Sequence, residues 1–91
     1  MEDGWRGFLK SCSKIKSPKD LKDFYDLFLT IEEKEALSAR FTIIKALIEK
    51  KLSQREIAKK YKVSIAQITR GSNALKIIKK PLKRFLEKNL D

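Results

Sequence analysis

Four hydroxyl residues in this chain are each followed, three positions later, by an acidic or amide residue. The four pairs are Ser17 with Asp20, Thr30 with Glu33, Ser53 with Glu56, and Ser64 with Gln67. A hydroxyl oxygen at a helix N-cap accepts from the backbone N–H three residues later, and a Glu or Gln there can return a bond to the N-cap. The pattern predicts four helix starts, and the one at Ser17 is an imperfect match because Asp stands in place of Glu or Gln.

The two prolines and the apolar spacing complete a prediction of an all-α chain. Pro18 and Pro81 are placed to begin helices, because a proline in the first turn lacks only an N–H that would have no partner. The chain has only three Gly and two Pro, which suits helices better than a sheet or a disordered chain. We predict six helices and no strand, with ends defined to within about two to four residues, at about 4–15, 18–29, 31–50, 53–61, 64–77 and 81–90.

The third predicted helix is apolar around much of its circumference. Its apolar residues are Leu37, Phe41, Ile43, Ile44, Leu47 and Ile48. Such a helix needs other elements on several sides, and a chain of this size, which buries only about 60 to 65% of its unfolded surface, cannot supply them all. We therefore predict that residues 1–91 form a single small domain and that a second copy covers it in a homodimer.

Positive charge is concentrated in residues 50–88. This segment has thirteen Lys and Arg residues but only Glu56 and Glu87 as acids, a net charge of +11, whereas the remaining residues carry −1. A local excess of this size is typical of a surface that binds nucleic-acid phosphates. A solvated Lys-rich surface is the alternative, but that interpretation favours charge spread evenly along the chain.

Residues 53–76 fit a helix-turn-helix inside this basic segment. Ile57 and Ala58 on the first short helix can pack against Ile68 on the second, and the small Ala lets the two helices cross closely. Lys62 takes a turn position where Gly is favoured, which weakens the match. Charge and motif together predict double-stranded DNA as a partner.

The residue types that enzymes and metal sites need are scarce. The chain has no His and one Cys, Cys12, and it contains no metal-ligand, phosphate-loop or nucleophile motif. We therefore expect neither an enzyme nor a metal site. A lone Cys cannot form an intrachain disulfide, and there is no secretory signal or apolar run long enough to span a bilayer. We expect a cytoplasmic protein with no membrane partner.

A run in the second helix of this motif is more specific than the motif itself. Residues 68–75 read ITRGSNAL, after LSQREIAKKYKVSIAQ at 52–67 and LTIEEKEALSARFTIIKALIEKKL at 29–52. In one ungapped register from Leu29 to about Lys76, the chain resembles the tryptophan operon repressors, a family of bacterial amino-acid-sensing regulators. The resemblance implies an intertwined homodimer, interlocked through its N-terminal and C-terminal helices, that binds operator DNA with L-tryptophan as co-repressor.

The resemblance also implies a tryptophan site. Arg70 resembles an arginine that pairs with the ligand carboxylate and lies along one face of the indole, and Arg40 resembles one from the other subunit that covers the opposite face. The family commonly has a hydroxyl where this chain has Ala74, and losing its hydrogen bond to the ligand's amino group costs about 0.5 to 1.5 kcal/mol. The implied set is Leu27, Leu29, Thr30, Arg40, Arg70, Gly71 and Ala74.

These residues also have ordinary structural interpretations. Without the resemblance, Arg40 and Arg70 are interpreted as solvated helix arginines, and Leu27 and Leu29 are interpreted as core residues. Gly71 is different, because a Gly inside a helix costs about 1 kcal/mol relative to Ala. Close approach by a ligand is a physical reason to tolerate it.

DNA contacts are expected at the start of the first motif helix and along the second. Lys and Arg should neutralise phosphates, and Gln67 and Thr69 could reach base edges, either directly or through water as the resemblance implies. Ile65 has two open interpretations, contact with a thymine methyl or packing in the core. The expected set is Gln54, Arg55, Ile65, Ala66, Gln67, Thr69, Ser72 and Lys76.

Two functional hypotheses follow from the same surface. In the first, tryptophan wedged between the helical core and the second motif helix holds the two recognition helices of a dimer about 34 Å apart, the spacing of successive major grooves. In the second, a ligand-independent helix-turn-helix protein packages DNA or RNA. Only the first hypothesis predicts a response to tryptophan.

Overall fold

The chain folds into six α-helices in a computed structural model that describes residues 2–90. The helices are α1 (Glu2–Ser13), α2 (Pro18–Phe28), α3 (Ile31–Glu49), α4 (Gln54–Tyr61), α5 (Ile65–Ile77) and α6 (Lys80–Asn89). No strand occurs within residues 2–90. The prediction of six helices is confirmed, and every predicted helix end lies within two residues of the observed one.

The predicted caps form at the helix starts. Reciprocal hydrogen bonds between backbone N–H groups and side chains join three of the pairs, Thr30 with Glu33, Ser53 with Glu56, and Ser64 with Gln67. At Ser17 the hydroxyl oxygen accepts from the Asp20 N–H at 3.0 Å. Each such N-cap stabilises its helix by about 0.5 to 2 kcal/mol. Pro81 is the second residue of α6, after the N-cap Lys79, which makes no side-chain cap.

Helix α1 begins and ends two residues earlier than predicted. Glu2 and Asp3 lie in its first turn, where negative charge interacts favourably with the free N–H groups of the helix. Arg6 also approaches Glu2, with 3.9 Å between the guanidinium and carboxylate atoms. At the other end, the Ser13 hydroxyl donates to the Lys10 carbonyl at 2.7 Å. This local bond competes with continuation of the helix.

The chain divides into two compact units, with the boundary between Lys34 and Glu35 inside α3. In the first unit, aromatic rings of α1 and α2 pack together. The Phe8 ring lies 5.4 Å from that of Phe24 and 5.5 Å from that of Phe28, measured between centroids. No residue of α1 or α2 is fully buried. That the whole chain acts as one domain stays a prediction.

The second unit contains the apolar core. Its buried residues come from three helices, and further apolar side chains pack around them. The buried residues are Ile43, Ala46, Ile57 and Ile68, and the surrounding ones are Leu47, Leu52, Ala58 and Val63. Helices α4 and α5 contact each other across a short turn in which Lys62 is left-handed, with φ 55° and ψ 46°. This conformation is uncommon for a residue other than Gly.

Helix α3 is covered only in part within its own chain. Ile43 is 1% exposed, whereas Leu37 is 51% and Phe41 is 53% exposed. On α6, the apolar side chains of Leu82 and Phe85 are exposed as well. Large apolar side chains on several helices are therefore available to a partner.

Candidate ligand pocket and nucleic-acid surface

A pocket of about 310 Å³ lies between α3 and α5 in the second unit. This volume is at the small end of the range, about 300 to 1,000 Å³, that small-molecule sites occupy. Each helix contributes residues at helical spacing, so one stripe of each helix forms a wall. The lining residues are Ala36, Arg40, Ile43, Ile44, Gln67, Arg70, Gly71 and Ala74.

The pocket combines apolar walls with two guanidinium groups. Ile43 and Ile44 supply the apolar side, and Arg40 and Arg70 are the charged residues of the lining. Both arginines are exposed, and neither makes an ion pair among the described residues. Among residues 2–90, no acidic residue lines the pocket. The site can therefore receive an anionic group without repulsion and can stack a flat ring against guanidinium planes.

The sequence prediction assigns the Arg40 that covers the indole to the other subunit, and this assignment stays a prediction. Arg40 and Arg70 of the same chain line the same pocket. Arg40 precedes Ile43 by three residues and Ile44 by four, so all three share one face of α3. Because that face packs towards α5, it brings Arg40 into the pocket of its own chain.

Gly71 is needed where α5 approaches α3. A β-carbon built at this position would lie 3.0 Å from Ile43 Cγ2 and 3.5 Å from the δ-carbons of Ile44 and Leu47. The first distance is shorter than an ordinary van der Waals contact. Gly71 thus permits close helix packing besides lining the pocket, whereas the sequence had suggested only close approach by a ligand.

Helix α5 presents the pocket on one side and four of its six predicted DNA contacts on the opposite side. Ile65, Thr69, Ser72 and Lys76 follow the spacing i, i+4, i+7, i+11, which forms a single stripe. Gln67, Arg70, Gly71 and Ala74 form a second stripe, at i, i+3, i+4 and i+7. At 3.6 residues per turn, the centres of the two stripes are about 180° apart around the helix. A molecule in the pocket therefore lies behind the stripe predicted to contact DNA.

The predicted DNA residues lie on the surface of the second unit. Gln54, Arg55, Ile65, Ala66, Gln67, Thr69 and Lys76 are exposed, and Ser72 is half-buried. Ile65 is 49% exposed and lies outside the core cluster. This placement favours contact with a partner over packing in the core.

Ion pairs do not neutralise the basic side chains in the described part of the second unit. The ion pairs of the described chain join Arg6 to Glu2, and Lys22 and Lys34 to Asp26, all in the first unit. Between Glu35 and Leu90, the Lys and Arg side chains make no ion pair. Their charge is thus available to an anionic partner.

Comparison with known proteins agrees with these features. A profile of the Trp repressor protein family matches residues 3–90. A protein named Trp operon repressor homolog from Chlamydia caviae is 59% identical over 90 residues, which cover 99% of this chain and 88% of that protein. Proteins of the same name from Chlamydia trachomatis serovar D and Haemophilus influenzae strain PittEE are 53% and 33% identical, over 98% and 96% of this chain and 95% and 86% of their own lengths.

The chain belongs to the Trp repressor family. The match of the family profile confirms the resemblance seen in residues 29–76 and extends it over nearly the whole chain. Trp operon repressors are regulatory proteins, so the family agrees with the regulatory role expected from the sequence.

The structure brings together four of the seven residues that were predicted to bind tryptophan. Arg40, Arg70, Gly71 and Ala74 all line the pocket. Leu27, Leu29 and Thr30 lie in the first unit, where Leu27 is 77% exposed. Their contact with a ligand stays a prediction.

Sequence reasoning missed three other residues of the pocket wall and one role of a fourth. Ala36, Ile43 and Ile44 lie at helical spacing from Arg40, a signal that could have identified them. Gln67 was predicted to contact bases; in the structure it also lines the pocket, and its Oε1 accepts from the Ser64 N–H at 2.9 Å.

No helix within residues 2–90 is long and apolar enough to cross a membrane. In the same part of the chain, no group of three or more His, Cys, Asp or Glu side chains is arranged to hold a metal ion.

Proposed function

We propose that this member of the Trp repressor family is a tryptophan-dependent transcriptional repressor, in which α4 and α5 form a helix-turn-helix. The observation that carries the proposal is the arrangement of α5. One face of the helix lines a pocket with two arginines, and the opposite face carries polar side chains on a basic surface. A ligand behind α5 can thus affect how α5 meets DNA.

L-Tryptophan fits the chemistry of the pocket. Its carboxylate can accept hydrogen bonds from the Arg70 guanidinium, and its indole can lie between guanidinium planes and against Ile43 and Ile44. With Ala74 in the lining, this position offers no hydroxyl to the ligand's amino group. The ligand's ammonium group must therefore find its acceptors elsewhere, and Leu27, Leu29 and Thr30 stay the proposed contacts.

Double-stranded DNA is the proposed partner of the opposite face. Arg55 and Lys76 can neutralise phosphates, and Thr69 can contact base edges directly or through water. In a homodimer, paired helix-turn-helix units would enter successive major grooves about 34 Å apart. Tryptophan would favour the spacing that fits, with a coupling free energy of typically about 1 to 3 kcal/mol.

The decisive experiment measures operator affinity with and without L-tryptophan. The probe is a duplex that the protein selects from random sequences in the presence of the amino acid, and titration calorimetry measures tryptophan binding independently. We expect tryptophan to raise operator affinity by roughly five- to 150-fold. Equal affinity in both conditions would instead favour the ligand-independent nucleic-acid-binding protein.

Arg70→Leu tests the pocket directly. The substitution removes a charge-assisted hydrogen bond worth about 1.5 to 3 kcal/mol, so tryptophan affinity should fall at least tenfold, with a nearly unchanged circular dichroism spectrum. Arg6→Leu makes the same chemical change on α1, outside the pocket, and should leave tryptophan affinity unchanged. Similar losses in both variants would mean that Arg70 does not contact the ligand.

A further inference from the structure

Gln67 belongs both to the wall of the pocket and to the N-terminal cap of α5. The residue lines the pocket between α3 and α5. Its side chain completes the cap of α5, because Gln67 Oε1 accepts from the Ser64 N–H at 2.9 Å and from the Ser64 hydroxyl at 3.2 Å. In return, the Gln67 N–H donates to Ser64 Oγ at 3.1 Å. A group that touches Gln67 from the pocket therefore touches the first turn of α5.

The neighbouring cap on α4 lacks this second contact. Ser53 and Glu56 form the same reciprocal pair, with distances of 2.8 Å and 3.1 Å. Neither residue lines the pocket. The two caps thus differ in their access to a ligand while sharing the reciprocal pair of backbone-to-side-chain hydrogen bonds, and the α4 cap is an internal control for the α5 cap.

The cap of α5 is exposed to solvent and joins residues only three positions apart. Ser64 and Gln67 are both exposed, so water competes for their hydrogen bonds and the first turn of α5 can fray. A ligand packed against Gln67 restricts the rotamers of its long side chain, which removes part of the entropy cost of holding the cap. An occupied pocket and a formed Ser64–Gln67 cap then stabilise each other.

We propose that Gln67 is a positioning residue that couples the pocket to the N-terminal turn of α5 through its shared place in the pocket wall and the Ser64 cap. The proposal rests on the proposed function, since it takes L-tryptophan as the ligand and α5 as the recognition helix. It adds a route by which binding in the pocket orders Ile65, which lies between the two capping residues, and Thr69, two residues after Gln67.

Hydrogen exchange of the unmodified protein gives the first test. Saturating L-tryptophan should slow exchange of the Ser64 and Gln67 amides at least threefold more than exchange of the Ser53 and Glu56 amides. Equal slowing at the two caps would overturn the proposal. If calorimetry shows no tryptophan binding at all, the proposed function itself fails, which is a separate result.

Gln67→Glu separates the cap from the pocket. Glutamate accepts the same cap hydrogen bonds, so the stability of the protein should be retained. Its carboxylate would, however, stand in the pocket with Arg40 and Arg70 and compete with the ligand carboxylate for them. We expect tryptophan affinity to fall at least tenfold. Glu56→Gln makes the reverse exchange in the α4 cap and should change that affinity less than twofold.

Gln67→Met tests the coupling itself. Methionine has a similar length but lacks the amide oxygen that accepts from Ser64. We expect the ratio of operator affinities with and without tryptophan to fall at least threefold, and the selective slowing of the Ser64 amide to disappear. A folded Gln67→Met protein that keeps the full ratio would overturn the proposal, as would a Gln67→Glu protein with unchanged tryptophan affinity.

Discussion

Gly71 both permits the close packing of α5 on α3 and lines the pocket. A β-carbon there would meet Ile43 Cγ2 at 3.0 Å, and Ile43 is 1% exposed. A β-branched side chain in a helix has essentially one χ1 rotamer, so its γ-methyl cannot swing away. The helices would have to separate slightly to accept even a methyl group.

Gly71→Ala should therefore destabilise the protein. Better helix propensity contributes about 1 kcal/mol in favour of Ala, but overpacking costs about 1 to 3 kcal/mol, so we expect a net loss of about 1 kcal/mol in a denaturant titration. Gly7→Ala on α1 is the control, because a β-carbon at Gly7 meets nothing within 4 Å. That variant should keep the gain in propensity, and a stabilised Gly71→Ala protein would show that α3 and α5 can move apart freely.

Arg55 is proposed to contact a phosphate rather than a base. Arg55→Ala should weaken binding to all duplex sequences alike and reduce the slope of log affinity against log salt by about two per dimer, one contact per subunit. Arg6→Ala, which removes the same charge from the first unit, should leave the slope unchanged. An unaltered slope for Arg55→Ala would place Arg55 away from the DNA backbone.

At the scale of elements, Asp26 joins the end of α2 to the first turns of α3. Its two carboxylate oxygens accept from the ammonium groups of Lys22 and Lys34, each at 2.8 Å. The hydrogen bonds from Lys22 and Lys34 lower the pKa of Asp26 to about 2. The hydrogen bond to Asp26, together with the charge of the Asp26 carboxylate, raises the pKa of Lys22.

This contact makes the stability of the first unit depend on pH in the acidic range. Since the pKa of Asp26 is lower in the folded chain than in the unfolded chain, its contribution is present above about pH 4. It is lost as the pH falls from about 4 to about 2. Asp26→Asn should flatten this part of a plot of unfolding free energy against pH.

Asp23→Asn provides the comparison for that measurement. Asp23 carries the same charge on the same helix, but it makes no ion pair within the described chain. Its substitution should leave most of the acid dependence in place. If both variants behave alike, net charge rather than the Asp26 contact controls stability in acid.

For the whole molecule, exposed apolar side chains predict assembly. Leu37 and Phe41 on α3, and Leu82 and Phe85 on α6, are all exposed in the single chain. A chain of 91 residues buries too small a fraction of its surface to leave such groups in water without loss of stability. A second copy would cover them, as expected for the proposed homodimer.

The midpoint of thermal unfolding should therefore rise with protein concentration, because folding and association are linked. Sedimentation should give the mass of two chains at micromolar concentration. Replacing Leu37 and Phe41 together by Asp should shift the protein towards monomer or unfolded chain. A stable, folded monomer of the unmodified protein at micromolar concentration would contradict the homodimer.

Helix positions in this chain were predictable because their determinants are local. Ser53 with Glu56 and Ser64 with Gln67 are three residues apart, and each pair satisfies the free N–H groups of its own helix whatever surrounds it. The concentration of positive charge in residues 50–88 likewise follows from the chain alone. Helix number, helix ends and the basic half of the molecule could be derived in this way.

The pocket depended on tertiary structure because it requires two helix faces to meet. Periodicity places Arg40 with Ile44 on α3, and Arg70 with Gly71 on α5, but it does not state which stripes oppose each other. Only the packing of α5 on α3 put Arg40 in the pocket of its own chain and made the capping residue Gln67 part of the pocket wall as well. Contacts between residues distant in sequence follow from the packing of helix faces, which no local spacing specifies.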